Sequence, residues 1–367
     1  MERQRDAGID LLRILATLMV VGTHVLGRGG ILGAAWGQNA NAAVASVFKV
    51  LFMSAVNCFG IISGYFLCRS RFRLARVLKL WSEVLFYSLL FTAARLLIEP
   101  RAVSPGELLS AVFPLSFRRP WYVSAYLGLL FLTPFLNRLL RTMSRRQHLA
   151  LALVSVLLFS VHATLSLSNT YGVGNKGHST LWLAVLYILG AYFRMHLREY
   201  PRRASALVLG GAVAATVASV YLIGGVTGRL FGSEMRLDWF VRDISPTIVA
   251  ISAALFHLLK GLSAGAAARR LILWTAPLAF GVYLSHMQPL SLSWFQGKLG
   301  AVAGIHPLAF PFAVLGIMLF IFAAGIALEF LRARLFRLVK FDSALALIER
   351  KALSVWGRFL GLARKVF

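Results

Sequence analysis

The sequence predicts an all-α, polytopic membrane protein with about ten transmembrane helices. Three observations support this fold class: hydrophobic residues make up 59% of the 367 residues, charged residues make up only 14%, and the mean hydropathy is +0.74. Soluble domains usually contain about 25% charged residues. The chain is therefore too apolar for a soluble globular protein.

Ten apolar segments are long enough to cross a bilayer, which takes about 20 mostly apolar residues. We find no internal repeat of the kind that marks many transporters, and no stretch polar enough for a separate soluble domain. The sequence thus predicts one membrane domain over residues 1–330. In chain order, the predicted spans are approximately 9–27, 44–66, 80–98, 121–138, 149–167, 179–195, 205–223, 242–260, 271–293 and 308–330.

The charge distribution predicts the orientation. Lys and Arg number 39 against 13 Asp and Glu, a net charge of +26, and the basic residues lie between the apolar segments. This pattern follows the positive-inside rule for cytoplasmic loops, so it favours contact with anionic lipids over nucleic-acid binding. It also places both termini in the cytoplasm. The strongly basic loops are 69–79, 137–147, 194–203, 268–270 and 332–340.

The sequence also allows predictions for the first span, for the C-terminal residues and for the two cysteines. No small-residue cleavage site follows the first apolar run, so we interpret it as a retained span and not as a signal peptide. Residues 331–367 alternate apolar and basic residues, which predicts either an amphipathic helix on the inner membrane surface or a frayed basic tail. Cys58 and Cys68 are too few for a disulfide framework or a metal site, and we expect them to be packing residues. No metal site is predicted.

The first span carries two ionisable residues, Arg13 and His24, although such residues cost at least about 2.5 kcal/mol inside a membrane. Their eleven-residue separation is only about 20° from three full helical turns, so they share a face. Asp10 and Thr17 lie close to the same face. The pattern predicts a polar stripe that lines a cavity, with His24 about 16 Å further out than Arg13. In the structural alternative, His24 bonds a neighbouring helix and Asp10 with Arg13 forms a plain ion pair.

Further candidate residues lie on other spans. His286, with Thr275 and Ser293 predicted on its face, lies about as deep in the ninth span as His24 lies in the first. We therefore predict that the two histidines meet in the outer half of the membrane. The fourth span carries a second polar stripe, although its first member also suits an interfacial aromatic belt beside Trp121. This stripe consists of Tyr122, Tyr126, Thr133 and Asn137. The possible acceptor or oxyanion contacts are Asp10, Tyr122, Tyr126, Asn137 and His286.

Basic residues recur every three or four positions before the third span, at Arg69, Arg73, Arg76 and Lys79. Stacked cations on one helical face suit a phosphate-rich ligand that arrives from the cytoplasm. Ordinary positive-inside anchoring explains them equally well.

Several of these motifs together resemble the integral membrane acyltransferase 3 family, whose first helix carries Arg or Lys, ten residues and then His. Here those residues are Arg13 and His24. The similarity runs in order over about residues 8–336. The other matching motifs are ISGYFL (62–67), FRLARVLK (72–79), PWYVSAYLGLLFLTPFLN (120–137), LWLAVLYILGAYFR (181–194), VYLSHMQPL (282–290) and LEFLRARLF (328–336).

The resemblance implies a bacterial inner-membrane enzyme that transfers an acyl group, usually acetyl, to a hydroxyl of an envelope glycan or lipid-linked sugar. It implies acetyl-CoA as the donor and Arg13 with His24 as the essential pair, His24 acting as general base or as acyl carrier. The R-x-x-R motif of the family falls on Arg73 with Arg76, or on Arg76 with Lys79.

The main alternative is a transporter or flippase for a lipid-linked or amphipathic substrate, in which the stripe lines a translocation path. The spans contain few carboxylates, which are the groups that a proton-coupled carrier would use to move protons. Soluble-enzyme signatures such as a P-loop, HExxH or GxSxG are missing, as is an H-x4-D acyltransferase box. Nothing in the sequence supports a receptor, and neither the acceptor nor the oligomeric state can be predicted.

Overall fold

The computed structural model describes residues 5–35, 40–117, 121–166, 177–197, 200–232 and 240–366. Within these ranges every regular element is a helix, which confirms the all-α class. Among the described residues, seven helical stretches are long and apolar enough to span a membrane, and two shorter apolar helices accompany them. The chain is therefore a multi-pass membrane protein, while the total of ten spans stays a prediction. The seven stretches are Ala7–Gly27, Ala42–Leu67, Leu74–Ile98, Trp121–Thr142, Arg145–Leu165, Arg202–Leu230 and Phe310–Leu338, and the shorter two are Thr180–Met195 and Pro246–Leu259.

The α-helices are numbered here along the chain. They are α1 (Ala7–Gly27), α2 (Ile31–Ala35), α3 (Ala42–Met53), α4 (Ala55–Leu67), α5 (Leu74–Ile98), α6 (Pro105–Val112), α7 (Trp121–Thr142), α8 (Arg145–Val156), α9 (Ala163–Leu165), α10 (Thr180–Met195), α11 (Arg202–Phe231), α12 (Pro246–Leu259), α13 (Ala266–Thr275), α14 (Ala279–His286), α15 (Pro289–Phe295), α16 (Phe310–Leu338) and α17 (Phe341–Val366).

Helix α1 lies at the centre of the bundle. Asp6 caps its N-terminus, because its carboxylate accepts the backbone N–H groups of Gly8 and Ile9 at 3.0 and 3.2 Å. The helix then packs against α3, α4, α12, α14 and α16. Its apolar side chains, including Leu12 and Val21, are buried. The polar stripe of α1 is thereby held inside the protein and away from lipid.

Helices α4 and α10 pack closely against each other. Gly64 lies directly against the backbone of Tyr187, and Gly190 lies against that of Ile61, where an added Cβ would clash. Small residues at such crossings let helix backbones approach closely in membranes. Cys58 on α4 and Cys68 just after it are buried and unpaired, which confirms the prediction that they are packing residues.

The predicted ninth span, 271–293, is not one helix. Helix α13 gives way to a 3₁₀ turn at Ala276–Leu278, α14 ends at His286, and α15 starts at Pro289. Proline breaks a helix because it has no N–H to donate, and Pro277 and Pro289 lie at the two interruptions. The prediction that Ser293 shares a helical face with His286 was therefore wrong.

The C-terminal region is helical up to Val366. Helix α16 runs through residue 330 without a break, and the chain turns at Lys340, whose φ of 49° is left-handed. Helix α17 follows and contacts α5 as well as α16. Residues 331–338 thus belong to α16, and α17 packs on the membrane domain at the start of α5. An amphipathic helix on the inner membrane surface stays a prediction.

Candidate active site

A cavity of about 490 Å³ runs inside the bundle along α1. Such a volume suits one small-molecule ligand. Both Arg13 and His24 line it, so the predicted stripe does face a cavity. Its other polar and aromatic lining residues include Thr17, Thr23, Ser63, Phe66, Trp121, Tyr122, Tyr126, His178, Asp243, Phe280 and Tyr283.

The two membrane histidines meet inside this bundle, as predicted. Nδ1 of His24 lies 3.0 Å from Nε2 of His286, and the ring centroids are 5.1 Å apart. His286 is buried at the end of α14, and its Nδ1 lies 2.7 Å from the carbonyl oxygen of Val282. His24 and His286 are 262 positions apart in sequence, and a continuous series of hydrogen bonds joins them to Val282.

The carbonyl of Val282, at the end of this series of hydrogen bonds, determines which nitrogen donates in each bond. The carbonyl of Val282 can only accept, so Nδ1 of His286 carries the proton. In a neutral imidazole the other nitrogen is then an acceptor, so Nε2 of His286 accepts the N–H of His24 Nδ1. The remaining nitrogen of His24, Nε2, carries a lone pair. His286 therefore orients His24 and selects the tautomer in which Nε2 is basic and nucleophilic.

Arg13 lies toward the N-terminal end of the same helix. Its guanidinium donates to Asp10 at 2.7 Å and lies over the ring of Phe66, 5.0 Å from the centroid. The carboxylate of Asp10 is buried and also pairs with Arg5 at 2.7 Å. Asp10 thus fixes Arg13, and Arg13 is the member of this group that lines the cavity.

Aromatic rings connect the histidines to the outer part of the cavity. Tyr122 and Tyr126 stack with centroids 5.8 Å apart, and Tyr122 meets Tyr283 edge to face at 6.0 Å. Tyr283 in turn lies 6.1 Å from the ring of His286. Both predicted tyrosines of the fourth span are therefore in the cavity wall beside the histidine pair.

Asn137, by contrast, holds helices together. Its amide donates to the carbonyls of Leu67 and Ser70 at 2.9 and 3.3 Å, and its oxygen accepts the hydroxyl of Tyr187 at 2.6 Å. These bonds occupy both ends of the amide, so the structure corrects the expectation that Asn137 contacts a substrate. Helical spacing alone placed Asn137 in a stripe with Tyr126. In the structure, backbone carbonyls at the end of α4 and just after it accept both hydrogen bonds of its amide.

The predicted donor cations lie at the N-terminal start of α5. Lys79 donates to Asp342 of α17 at 2.9 Å, and Arg73 lies 3.8 Å from Glu349. Arg76 donates weakly to Ser70 at 3.4 Å. None of the three cations belongs to the cavity wall within the described ranges, although the next residue, Leu80, does. The cluster therefore lies just outside the cavity wall, before Leu80, in a position called the inner rim below, and α17 partly neutralises it.

A buried ionic network that the sequence analysis missed joins α5 to α16. Arg332 donates to both carboxylate oxygens of Glu329, at 2.8 and 2.6 Å, and pairs with Glu83 at 3.2 Å. Tyr87 donates to Glu329 at 2.7 Å. The i, i+3 spacing of Glu329 and Arg332 was a visible signal, but the partner on α5 lies some 240 residues earlier in the sequence. This network anchors the helix that carries the donor cations.

A histidine–carboxylate pair, which the sequence patterns did not indicate, lies in the cavity wall. Nε2 of His178 lies 3.2 Å from Oδ2 of Asp243, whose side chain is 3% exposed. The ring of His178 stacks on Trp121, with centroids 3.9 Å apart and planes 15° from parallel. Both residues of the pair lie in loops just before helices, where no helical periodicity marks them. Within the described residues, no group of three or more side chains is arranged to hold a metal ion.

Comparison with known proteins gives the family. No curated protein and no solved structure matches the sequence. A family model described as an acyltransferase domain, that of acyltransferase 3, matches residues 6–338, which contain the whole cavity and its lining. The chain therefore belongs to the acyltransferase 3 family and is a membrane acyltransferase.

Proposed function

We propose that this membrane acyltransferase moves an acetyl group from acetyl-CoA on the cytoplasmic side to a hydroxyl of an envelope glycan or lipid-linked sugar in the bacterial inner membrane. The observation that carries the proposal is the shared cavity of Arg13 and His24, in which His286 leaves Nε2 of His24 with a lone pair. The family resemblance supports the acetyl donor and the glycan acceptor.

The donor would bind at the inner rim. CoA carries several phosphates, and Arg73, Arg76 and Lys79 offer cations of matching charge at the start of α5. Arg13 lies beyond the rim, in the cavity wall. It would hold either a phosphate of CoA or the thioester carbonyl close to α1. The thioester then extends along the stripe toward His24.

Nε2 of His24 supports two mechanisms. As a general base it takes the proton of the acceptor hydroxyl while that oxygen attacks the thioester carbonyl, and the proton then passes to the departing CoA sulfur. As an acyl carrier it attacks the carbonyl itself, which breaks the C–S bond, releases CoA as the thiolate and forms an N-acyl imidazolium. The acceptor hydroxyl then takes the acyl group, free His24 is restored, and the hydroxyl proton passes to the CoA thiolate. Both need the same tautomer of His24.

The developing oxyanion needs a hydrogen-bond donor within the same cavity. The nitrogens of His286 are already engaged with His24 and Val282, and the amide of Asn137 bonds other helices. Tyr122 and Tyr126 line the cavity, and each carries a hydroxyl that can donate. We assign the stabilising role to these two tyrosines.

The test uses purified, folded protein with radiolabelled acetyl-CoA and candidate envelope glycans. We expect His24→Ala to reduce acyl transfer by about 10²- to 10⁴-fold, the range for losing an acid–base group. His306→Ala, at an exposed histidine that bonds only its own turn, is the matched control and should keep wild-type activity. Undiminished transfer by His24→Ala would refute the proposal.

The same preparation distinguishes transfer from transport. In liposomes, movement of a lipid-linked sugar without consumption of acetyl-CoA would favour the transporter alternative. Release of CoA in proportion to acetylated product would favour the acyltransferase.

A further inference from the structure

We infer that His178, held by Asp243 and stacked on Trp121, forms an acceptor subsite that binds a hydroxyl group of a sugar at the outer end of the cavity. This inference rests on the proposed function, which supplies the acceptor, and it identifies where that acceptor binds.

The pair lies on the side of the bundle opposite the donor cations. Trp121 begins α7, His178 comes two residues before α10, and Asp243 comes three residues before α12. In the orientation set by the basic loops, all three helices start at the outer surface, and α1 ends there, three residues beyond His24. A ligand that reaches His178 thus arrives from outside, as an envelope sugar would.

The loop that carries Asp243 is tightly held. The backbone carbonyl of Asp243 accepts the amide of Asn57 at 2.7 Å, and the oxygen of that amide accepts Trp182 Nε1 at 3.0 Å. The next carbonyl, of Ile244, accepts the hydroxyl of Ser160 at 2.5 Å. These buried bonds from α4, α10 and the turn after α8 fix the carboxylate in one position.

The histidine is brought to this carboxylate by Gly177. The φ of Gly177 is +103°, a conformation that side chains other than glycine rarely adopt. A Cβ at this position would lie 2.8 Å from Ile244 Cγ2 and 3.2 Å from Asp243 Cβ. The glycine therefore permits both the turn and the close approach of the two loops.

The pairing leaves one nitrogen of His178 for a ligand. Nε2 donates its proton to the Asp243 carboxylate, so Nδ1 of the neutral ring is an acceptor, suited to a hydroxyl proton. Asp243 is 3% exposed whereas the His178 side chain is 30% exposed and lines the cavity. A buried carboxylate that orients a reachable imidazole is a costly arrangement for packing alone, and it repeats the pairing of His24 with His286 at a second level of the same cavity.

The test uses native membrane vesicles that contain the full-length protein, supplied with radiolabelled acetyl-CoA. We expect His178→Gln to lower the incorporation of label into envelope material by about tenfold, the loss of one hydrogen bond to a substrate hydroxyl. The Kd for CoA, measured on the purified variant, should stay at the wild-type value. Asp243→Asn keeps the shape of the side chain and should give a smaller loss, and His306→Gln is the control.

Each outcome decides the inference. Wild-type incorporation by His178→Gln would overturn it, and so would a parallel loss of CoA binding, which indicates a structural role. If His178→Gln does not fold, Asp243→Asn carries the same test, and its wild-type incorporation would overturn the inference. A wild-type protein that binds CoA but labels no envelope material would instead refute the proposed function, and the subsite with it.

Discussion

The inner and outer ends of the cavity differ in how their polar groups are paired. At the inner end, charges face opposite charges: Arg13 pairs with Asp10, and Lys79 pairs with Asp342. At the outer end, neutral rings and hydrogen bonds predominate, with His24 bonded to His286 beside stacked tyrosines. One chain thus builds two different environments along a single helix.

The difference shows which step each end suits. Exposed cations bind a phosphate-rich ligand through charge, and the carboxylates that already neutralise them must be displaced for it to bind. Buried, oriented imidazoles are suited to proton or acyl transfer, because their geometry is set before the substrate arrives. Binding strength should therefore depend on the inner end and reaction rate on the outer end.

The largest expected effect is at the outer end. His286→Ala removes the acceptor that holds His24 Nδ1–H, so we expect the rate of acyl transfer to fall about 10²-fold. His286→Gln, whose amide oxygen can accept the same bond, should retain more activity. Initial rates at saturating acetyl-CoA, with the Kd for CoA measured in parallel, check this. Equal rates for the Ala and Gln variants would contradict an orienting role, and a weakened Kd would break the separation between the two ends.

A stability change is expected at Asn137, which bonds the segment just before α5. Asn137→Ala leaves the buried hydroxyl of Tyr187 and the carbonyl of Leu67 without their partner, so we expect a loss of about 2 kcal/mol in the free energy of unfolding. Thr133→Ala, one turn earlier, removes only a local bond to Leu130 and should change stability less. Thermal unfolding of both variants tests this. A loss of activity by folded Asn137→Ala protein at unchanged stability would restore a substrate role.

At the inner end, single substitutions should weaken the binding of CoA by about tenfold at most, because the cations are exposed. Comparing Arg73→Gln with Lys79→Gln decides which registration of the basic motif binds phosphate, since Arg76 belongs to both. Isothermal titration with CoA measures the effect. Arg95→Gln, on the same helix but paired with Glu99 and Glu107, is the control. Unchanged Kd values in both motif variants would remove the donor from this rim.

The smallest effect is expected for the carboxylate that occupies this rim. Glu349 accepts the backbone N–H of Ala75 at 3.1 Å and lies beside Arg73, where a phosphate would otherwise bind the N-terminus of α5. Glu349→Gln should therefore tighten CoA binding by about threefold, with Arg350→Gln as the control on the same helix. Weaker binding by the variant would show that α17 supports the donor site and does not compete with the donor.

The sequence predicted the all-α membrane class, the polar stripe of α1 and the meeting of His24 with His286. These depend on composition and on helical periodicity, which act locally and can be read along a single helix. The same reasoning failed where local rules stopped applying. Proline divided the ninth span and separated Ser293 from His286, and neighbouring carbonyls bound the amide of Asn137.

What the sequence by itself determined is which residues lie at membrane depth and which face of each regular helix they share, because the bilayer and the helical repeat impose both. Only the tertiary structure decided the partners: His178 with Asp243, Glu349 with the start of α5, and Arg332 with Glu83. Each of these pairs joins segments far apart in sequence. Their contacts arise from how the helices pack and where the loops turn, and no periodicity along one segment encodes that.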